Sequence, residues 1–364
     1  MSKTLRAIGL MSGTSLDGID VAYLETDGES VVRRGPSATY PYPAGIQNLL
    51  RRAIQDTLSI SRRDERQGVM YEAEVALTFL HELAVESFSK QYGLSDSNVD
   101  VIGFHGQTVL HKPEARLTVQ LGLGQELANT TKIPVVYDMR AADVAAGGQG
   151  APLVPIYHAA LAHARPCAFV NIGGVANVTF VGSAGELLAF DTGPGNALIN
   201  DWMMQHKATA FDEGGATALR GKTSQSHLAS AMAHDFFVAK PPKSLDRNAF
   251  AGLDFSALSL EDGAATMAAF TAHSIAASAK WFSATPNQWI ICGGGRHNAA
   301  IMRDLAAVLP NVVKAETLVF SGDSMEAEAW AYLAVRSLKG LPLTFPGTTG
   351  VKADLTGGVL ATPK

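Results

Sequence analysis

The chain opens the same way twice. Residues 7–24 are two apolar runs joined by a turn built from Gly, Ser, Thr and Asp. Residues 167–181 repeat that form around Asn171-Ile-Gly-Gly-Val-Ala-Asn177, although the letters differ. Short apolar runs on either side of a small-residue turn read as paired strands. Each hairpin is followed by strands that alternate with helical patterns. That order limits the chain to two α/β domains of similar plan.

In the first half, residues 44–58 and 68–91 read as helices. The second of these carries Val75, Phe79, Leu80, Leu83 and Phe88 at helical spacing. Strands are expected at 99–104, 117–121 and 133–137, with a helix from 124 to 129. The first strand runs into His105-Gly-Gln-Thr108 and the last into Asp138-Met-Arg140. In the second half, a strand at 187–190 ends in Asp191-Thr-Gly-Pro-Gly-Asn196. A helix at 261–283, a strand at 289–292, the turn Gly293-Gly-Gly295 and a helix at 298–309 follow. Helices at 155–164 and 325–338 are expected to carry the chain between domains. The expected domains are 1–154 with 338–364, and 155–337. Loops at the carboxyl ends of strands would then face one interdomain cleft, where α/β sheets bind ligands.

The 364 residues are 47% hydrophobic, enough for two cores, and the net charge of −5 argues against nucleic acid as the main partner. Cys167 and Cys292 form neither a zinc spacing nor a disulfide framework. No apolar run reaches membrane-spanning length, and Arg6, Gly9, Ser12 and Gly13 interrupt any signal core, so a soluble cytoplasmic protein is expected.

The turn from Ser12 to Gly18 offers backbone N–H groups and hydroxyls of the kind that bind phosphate. Asp17 and Asp20 stand beside it, where a phosphate-bound Mg²⁺ would use their charge. An ordinary hairpin connection explains either turn alone, whereas two opposed clamps suit a polyphosphate. Asp191 is either a turn-initiating Asp or a carboxylate placed as a general base. Gly293 to Gly295 serve close packing or the approach of a nucleoside. His105 is either structural or a sugar ligand. Arg140 either pairs with Asp138 or grips a substrate carboxylate. Glu326 suits a helix start and also a ligand contact. Two rival signatures fail. The segment from Gly215 to Thr223 has one residue too many for a P-loop, and Gly13-Thr-Ser-Leu-Asp17 lacks the second glycine of a nucleophile elbow.

Six motifs occur in order: residues 11–20, 105–108, 146–155, 171–177, 191–196 and 292–295. On these the chain resembles the anhydro-N-acetylmuramic acid kinases, of the sugar kinase, actin and heat-shock ATPase superfamily. The resemblance implies two ribonuclease-H-like (actin-like ATPase) domains binding ATP and Mg²⁺. It implies the conversion of 1,6-anhydro-N-acetylmuramic acid, water and ATP into N-acetylmuramic acid 6-phosphate and ADP, a step in reuse of cell-wall sugars. It also implies a cytoplasmic homodimer whose partner is a small amino sugar. Carried over residue by residue, Gly13, Thr14, Ser15, Leu16, Asp17, Gly18, Ile19 and Asp20 would hold the phosphates. Asp17 and Asp20 would touch the metal through water. Asn171, Gly173, Gly174 and Asn177 would form the opposing clamp, and Gly293, Gly294 and Gly295 would border the adenosine. Asp191 would be the base. His105, Gln107, Arg140 and Glu326 would face the sugar. Two departures stand out. Ala141 and Ala142 replace arginines that follow Arg140 in several relatives, and Lys243-Ser-Leu-Asp-Arg247 differs from the usual Lys-Ser-Thr-Gly-Arg. A kinase for another amino sugar and a non-catalytic ATP-dependent sugar sensor are the alternatives.

Overall fold

The computed structural model describes residues 3–13 and 15–364. It divides into two compact units, Met1–Leu161 with Ser324–Lys364, and Ala162–Asp323.

The first unit is built on a six-stranded sheet. Its strands are β1 (Leu5–Met11), β2 (Gly18–Thr26), β3 (Val32–Pro41), β4 (Val101–Phe104), β7 (Val135–Tyr137) and β13 (Val359–Ala361), in the order β13-β7-β4-β1-β2-β3. β1, β2 and β3 run antiparallel, while β4 and β7 join β1 in parallel. β5 (Gln107–Lys112) and β6 (Leu117–Leu121) form a separate hairpin. The helices are α1 (Ala44–Asp56), α2 (Met70–Tyr92), α3 (Gly124–Thr131), α4 (Ala141–Ala145), α5 (Pro155–Leu161), α10 (Met325–Leu338) and α11 (Pro346–Thr349).

The second unit repeats the plan. β8 (Cys167–Ile172), β9 (Val175–Val181), β10 (Leu187–Pro194), β11 (Gln288–Cys292) and β12 (Val312–Lys314) lie in the order β10-β9-β8-β11-β12. The first three are antiparallel and the last two parallel, as in the first unit. Its helices are α6 (Ala197–Lys207), α7 (Gln225–Met232), α8 (Leu260–Ala277) and α9 (Ala299–Val308). Both units therefore have the ribonuclease-H-like strand order 3-2-1-4-5. No helix among the described residues is long and apolar enough to cross a membrane.

Glycine decides how α10 meets its sheet. Gly9 on β1 and Gly103 on β4 are register partners. A methyl group on Gly9 would lie 1.8 Å from the Ala327 carbonyl oxygen, and one on Gly103 would lie 2.0 Å from that of Trp330. The α10 backbone thus rests directly on two strands, and its alanines 327, 329, 331 and 334 are fully buried. Glu328 fixes the helix further. Its carboxylate accepts Arg34 Nε and Nη2 at 2.8–2.9 Å and the Tyr157 hydroxyl at 2.6 Å. These contacts bind α10 to β3 and α5, so both helices belong to the first unit. The unit boundaries fall at 161/162 and 323/324, not at the expected 154/155 and 337/338.

Three other expectations change. β3 is an additional edge strand whose exposed, alternating side chains and Pro36 resemble a loop in sequence. On α2, Val75, Phe79 and Leu83 are exposed, while Met70, Leu77, Val85 and Phe88 enter the core. β10 continues to Pro194 through a bulge between Asp191 and Gly193, so Asp191 lies within a strand rather than at its end.

Gly45, in contrast to Gly9, has open space around its missing side chain. Gly9→Ala is expected to lower stability by roughly 3 kcal/mol, about 6–12 °C in Tm, while Gly45→Ala is neutral or slightly stabilising. Thermal melts of the two variants check this. Equal melts would show that α10 tolerates a lift off the sheet.

Candidate active site

The β1–β2 turn is held by side chains from outside it. Ser12, fully buried, donates to Gln107 Oε1 at 2.6 Å and lies 2.8 Å from the Tyr42 hydroxyl. Gln107 Nε2 donates to the Gly13 carbonyl at 3.2 Å, and the Tyr42 N–H donates to the Asp17 carbonyl at 2.9 Å. Gln107 is itself fully buried. Both ends of its amide are engaged with the turn, so Gln107 positions the loop instead of facing a sugar. Leu16 and Ile19 point into the core, and a methyl on Gly18 would meet the Tyr40 carbonyl at 2.5 Å. These three residues offer a ligand only their backbone. Asp17 accepts from Ser15 Oγ at 2.7 Å and Asp20 from Thr39 Oγ1 at 2.5 Å. Thr14 lies outside the described residues.

Arg140 enters through an unusual backbone. Asp138 has φ of 56°, and its carboxylate pairs with Arg63, so it does not neutralise Arg140. Arg140 Nη1 donates to the Gly150 carbonyl at 2.9 Å, and Nη2 lies 3.2 Å from His105 Nε2. The guanidinium carbon sits 5.5 Å from the Trp330 ring centroid, and the His105 ring packs on Trp330 at 4.7 Å. Arg140 Nε is buried and has no partner among the described residues. Burial pulls the Arg140 pKa down to about 10, against the attraction of Glu326 and Asp143. Burial and the Arg140 charge hold His105 well below its usual range, so the ring is neutral and accepts from Arg140 through Nε2. His105 therefore orients the arginine. Burial raises the Glu326 pKa, Arg140 lowers it, and Asp20 raises it. Glu326 thus feels both the arginine and the phosphate-type turn. A cation held by a carbonyl, a neutral imidazole and an aromatic face, with a donor left over, suits an anionic ligand group.

In the second unit, the β8–β9 turn and the segment after Asp191 interlock. Gly195 N–H donates to the Gly174 carbonyl at 2.9 Å, and Asn196 N–H to that of Gly173 at 2.7 Å. A methyl on Gly195 would lie 2.2 Å from the Gly173 oxygen. Asn171 and Asn177 are register partners at the root of this turn. Asp191 Oδ2 accepts the Leu245 N–H at 2.8 Å, and the Asp191 N–H donates to the Lys243 carbonyl at 3.0 Å. Burial pushes the Asp191 pKa up to about 6, although the Leu245 bond and Lys243 pull it down. A carboxylate with such a pKa is ionised at neutral pH and can still hold a proton, the property a general base needs.

Gly293 and Gly295 pack against β8, since methyl groups there would lie 2.2 Å from Asn171 Oδ1 and from the Ile172 side chain. Gly294 instead lines a cavity of about 300 Å³ with Asn196, Asn200, Phe211, Asp212 and Asn298. That volume suits a nucleoside-sized group. Among the described residues no group of three His, Cys, Asp or Glu side chains could hold a metal. Sequence patterns missed Trp330, Leu245 and the cavity residues. Trp330 lies one helical turn beyond Glu326, while Asn196 and Leu245 sit within the segments 191–196 and 243–247 that the sequence singled out without assigning them a role.

A folded-state pKa near 6, above the unfolded value near 3.9, means that Asp191 favours the fold in its protonated form. Its contribution is complete below about pH 4 and is lost as pH rises through about 6. Asp191→Asn is therefore expected to melt above the unsubstituted protein at about pH 8 and level with it near about pH 3.5. Thermal melts at both pH values check this, and a variant less stable at the higher pH would contradict it.

A family model described as anhydro-N-acetylmuramic acid kinase matches residues 5–363. Curated relatives carry the same description. One from Agrobacterium fabrum is 50% identical, with 99% of each chain covered. One from Rhizobium johnstonii is 51% identical over 98% of each. One from Methylobacterium nodulans is 51% identical over 99% of this chain and all of its own.

Proposed function

The chain belongs to the anhydro-N-acetylmuramic acid kinase family, and on that premise we propose that it uses ATP and water to convert 1,6-anhydro-N-acetylmuramic acid into N-acetylmuramic acid 6-phosphate and ADP. It is a phosphotransferase with an alcohol acceptor, acting in cell-wall sugar recycling. The observation that carries the chemistry is Asp191, a carboxylate locked through Oδ2 with its pKa raised to about 6.

Asp191 Oδ1 takes a proton from water as the water oxygen bonds to the anomeric carbon of the sugar. The bond from that carbon to oxygen 6 breaks, and its electron pair stays on oxygen 6. Oxygen 6 then bonds to the γ-phosphorus of ATP as ADP leaves. Positioned N–H groups stabilise charge on phosphoryl oxygens. Gly173, Gly174 and the residues from Gly13 to Gly18 are assigned that role, with the nucleoside in the Gly294 cavity. Arg140 binds the lactyl carboxylate, with Glu326 beside it and His105 holding it in place.

Asp17 and Asp20 would hold a Mg²⁺ ion through its water shell, because two carboxylates do not make a protein cage. When bound, that ion supplies positive charge to the phosphate oxygens. The protein is further assigned to the cytoplasm, where its nucleotide is found, and to a homodimer. The dimer is supported by Tyr71, Val75, Phe79 and Leu83, which form an exposed apolar stripe at four-residue spacing on α2. Sedimentation of the intact chain tests it. A species of twice 38.3 kDa is expected, and the 38.3 kDa monomer alone at micromolar concentration would overturn it.

The reaction is tested by ADP release with and without the anhydro sugar. Sugar-dependent ADP and a phosphorylated, ring-opened product are expected. No sugar-dependent ADP would contradict the reading, and turnover on ordinary hexosamines alone would move it to another amino-sugar kinase.

A further inference from the structure

Lys243 lies outside every role assigned above, yet its surroundings are specific. Its ammonium donates to the Phe236 carbonyl at 2.7 Å and sits 4.1 Å from the centroid of the Phe236 ring. It also lies 5.9 Å from the Phe190 ring, the residue just before Asp191 on β10. Phe236 belongs to an aromatic cluster with Phe237, Phe250 and Phe270. That cluster is a rigid base, because its rings pack edge-on and stacked with centroids 5.2–6.3 Å apart.

The main chain of the same residue reaches the base. The Lys243 carbonyl accepts the Asp191 N–H, and Leu245, two residues on, donates its N–H to Asp191 Oδ2. The segment therefore grips Asp191 at its backbone and at its carboxylate. The side chain of Lys243 is what fastens that segment to the aromatic cluster. We propose that Lys243 is a positioning residue for the reaction, anchoring the 243–245 segment so that Asp191 presents one fixed carboxylate oxygen to water near a half-buried positive charge. The inference rests on the proposed reaction, with Asp191 as its base.

The charges facing this pair are few. Lys280 donates to the neighbouring Phe237 carbonyl at 2.5 Å and repels Lys243. From β9 the residue opposite Asp191 is the neutral Asn177, and from α8 Ser274 faces the adjoining Gly193. Burial and Lys280 pull the Lys243 pKa down to about 8, so it is still mostly protonated at pH 7. In that state it favours ionised Asp191.

The test is a pH profile of sugar-dependent ADP release for the intact protein and for Lys243→Met, Lys243→Arg and Phe236→Leu. Lys243→Met is expected to lower kcat by roughly tenfold to a hundredfold, as small misplacements of a base do. It is also expected to raise the pKa of the acid limb by roughly half a unit or more, through loss of a nearby opposite charge. The KM values for ATP and sugar should change less than about threefold, because binding is not the step affected. Lys243→Arg should restore most of kcat and the position of the acid limb. Phe236→Leu keeps the charge but loosens its seat, so kcat should fall with a smaller shift of the limb. An unmoved acid limb in folded Lys243→Met, or an equal loss in Lys243→Arg, would overturn the inference. If Lys243→Met does not fold, full kcat in Phe236→Leu would overturn it alone. Absence of sugar-dependent ADP from the unsubstituted protein would instead refute the reaction itself.

Discussion

The backbone of α10 rests on Gly9 and Gly103, and the organisation of the first unit depends on that contact. A side chain at either glycine would collide with helix carbonyls within 2.0 Å. Because the helix backbone meets the sheet directly at these two glycines, a shift or roll of the helix would lose close packing there. The rest follows from its fixed phase. Trp330 lies under His105 and Arg140, and Glu328 reaches Arg34 and Tyr157. Glu326, in the first turn, comes within the electrostatic reach of Arg140 and Asp20. A buried arginine is unfavourable without such support. Here a carbonyl, a neutral imidazole and an indole face supply it, and an anion can complete it.

The second unit reaches rigidity by a different use of glycine. The β8–β9 turn and the segment after Asp191 hydrogen-bond to each other, and Gly195 has no room for a side chain against Gly173. The β8–β9 turn is therefore fastened to the strand bearing Asp191. The raised pKa of Asp191 comes from burial there, partly offset by one N–H bond and one lysine. On the proposed reaction, the same sheet order would support two tasks, anion and metal-shell contacts in one unit and base chemistry in the other.

Much of this was legible in the sequence because period and turn chemistry are local. The paired hairpins, the parallel strands after them and the long helices all follow from apolar spacing and small-residue turns. Membership of the family was legible from six ordered motifs. What was not legible depends on contacts between distant segments. Gln107 looks like a sugar ligand until its burial beside Ser12 and Gly13 is known. The face of α2 that enters the core could not be chosen, because both faces carry large apolar residues. Pro36 and the arginines hid β3, since edge strands tolerate what central strands do not. The loop holding Leu245 was visible as a departure from the family pattern, but Leu245 itself was not, because it acts through a backbone N–H.

The central claim is that water, activated by Asp191, bonds to the anomeric carbon while oxygen 6 receives the phosphoryl group. Turnover in ¹⁸O-labelled water, read by mass spectrometry of the sugar phosphate and its fragments, tests it most directly. The account predicts one labelled oxygen at the anomeric carbon and none in the phosphoryl group, beyond the slow exchange shown by product incubated alone. Label in the phosphoryl group, or in inorganic phosphate released in place of sugar phosphate, would contradict it.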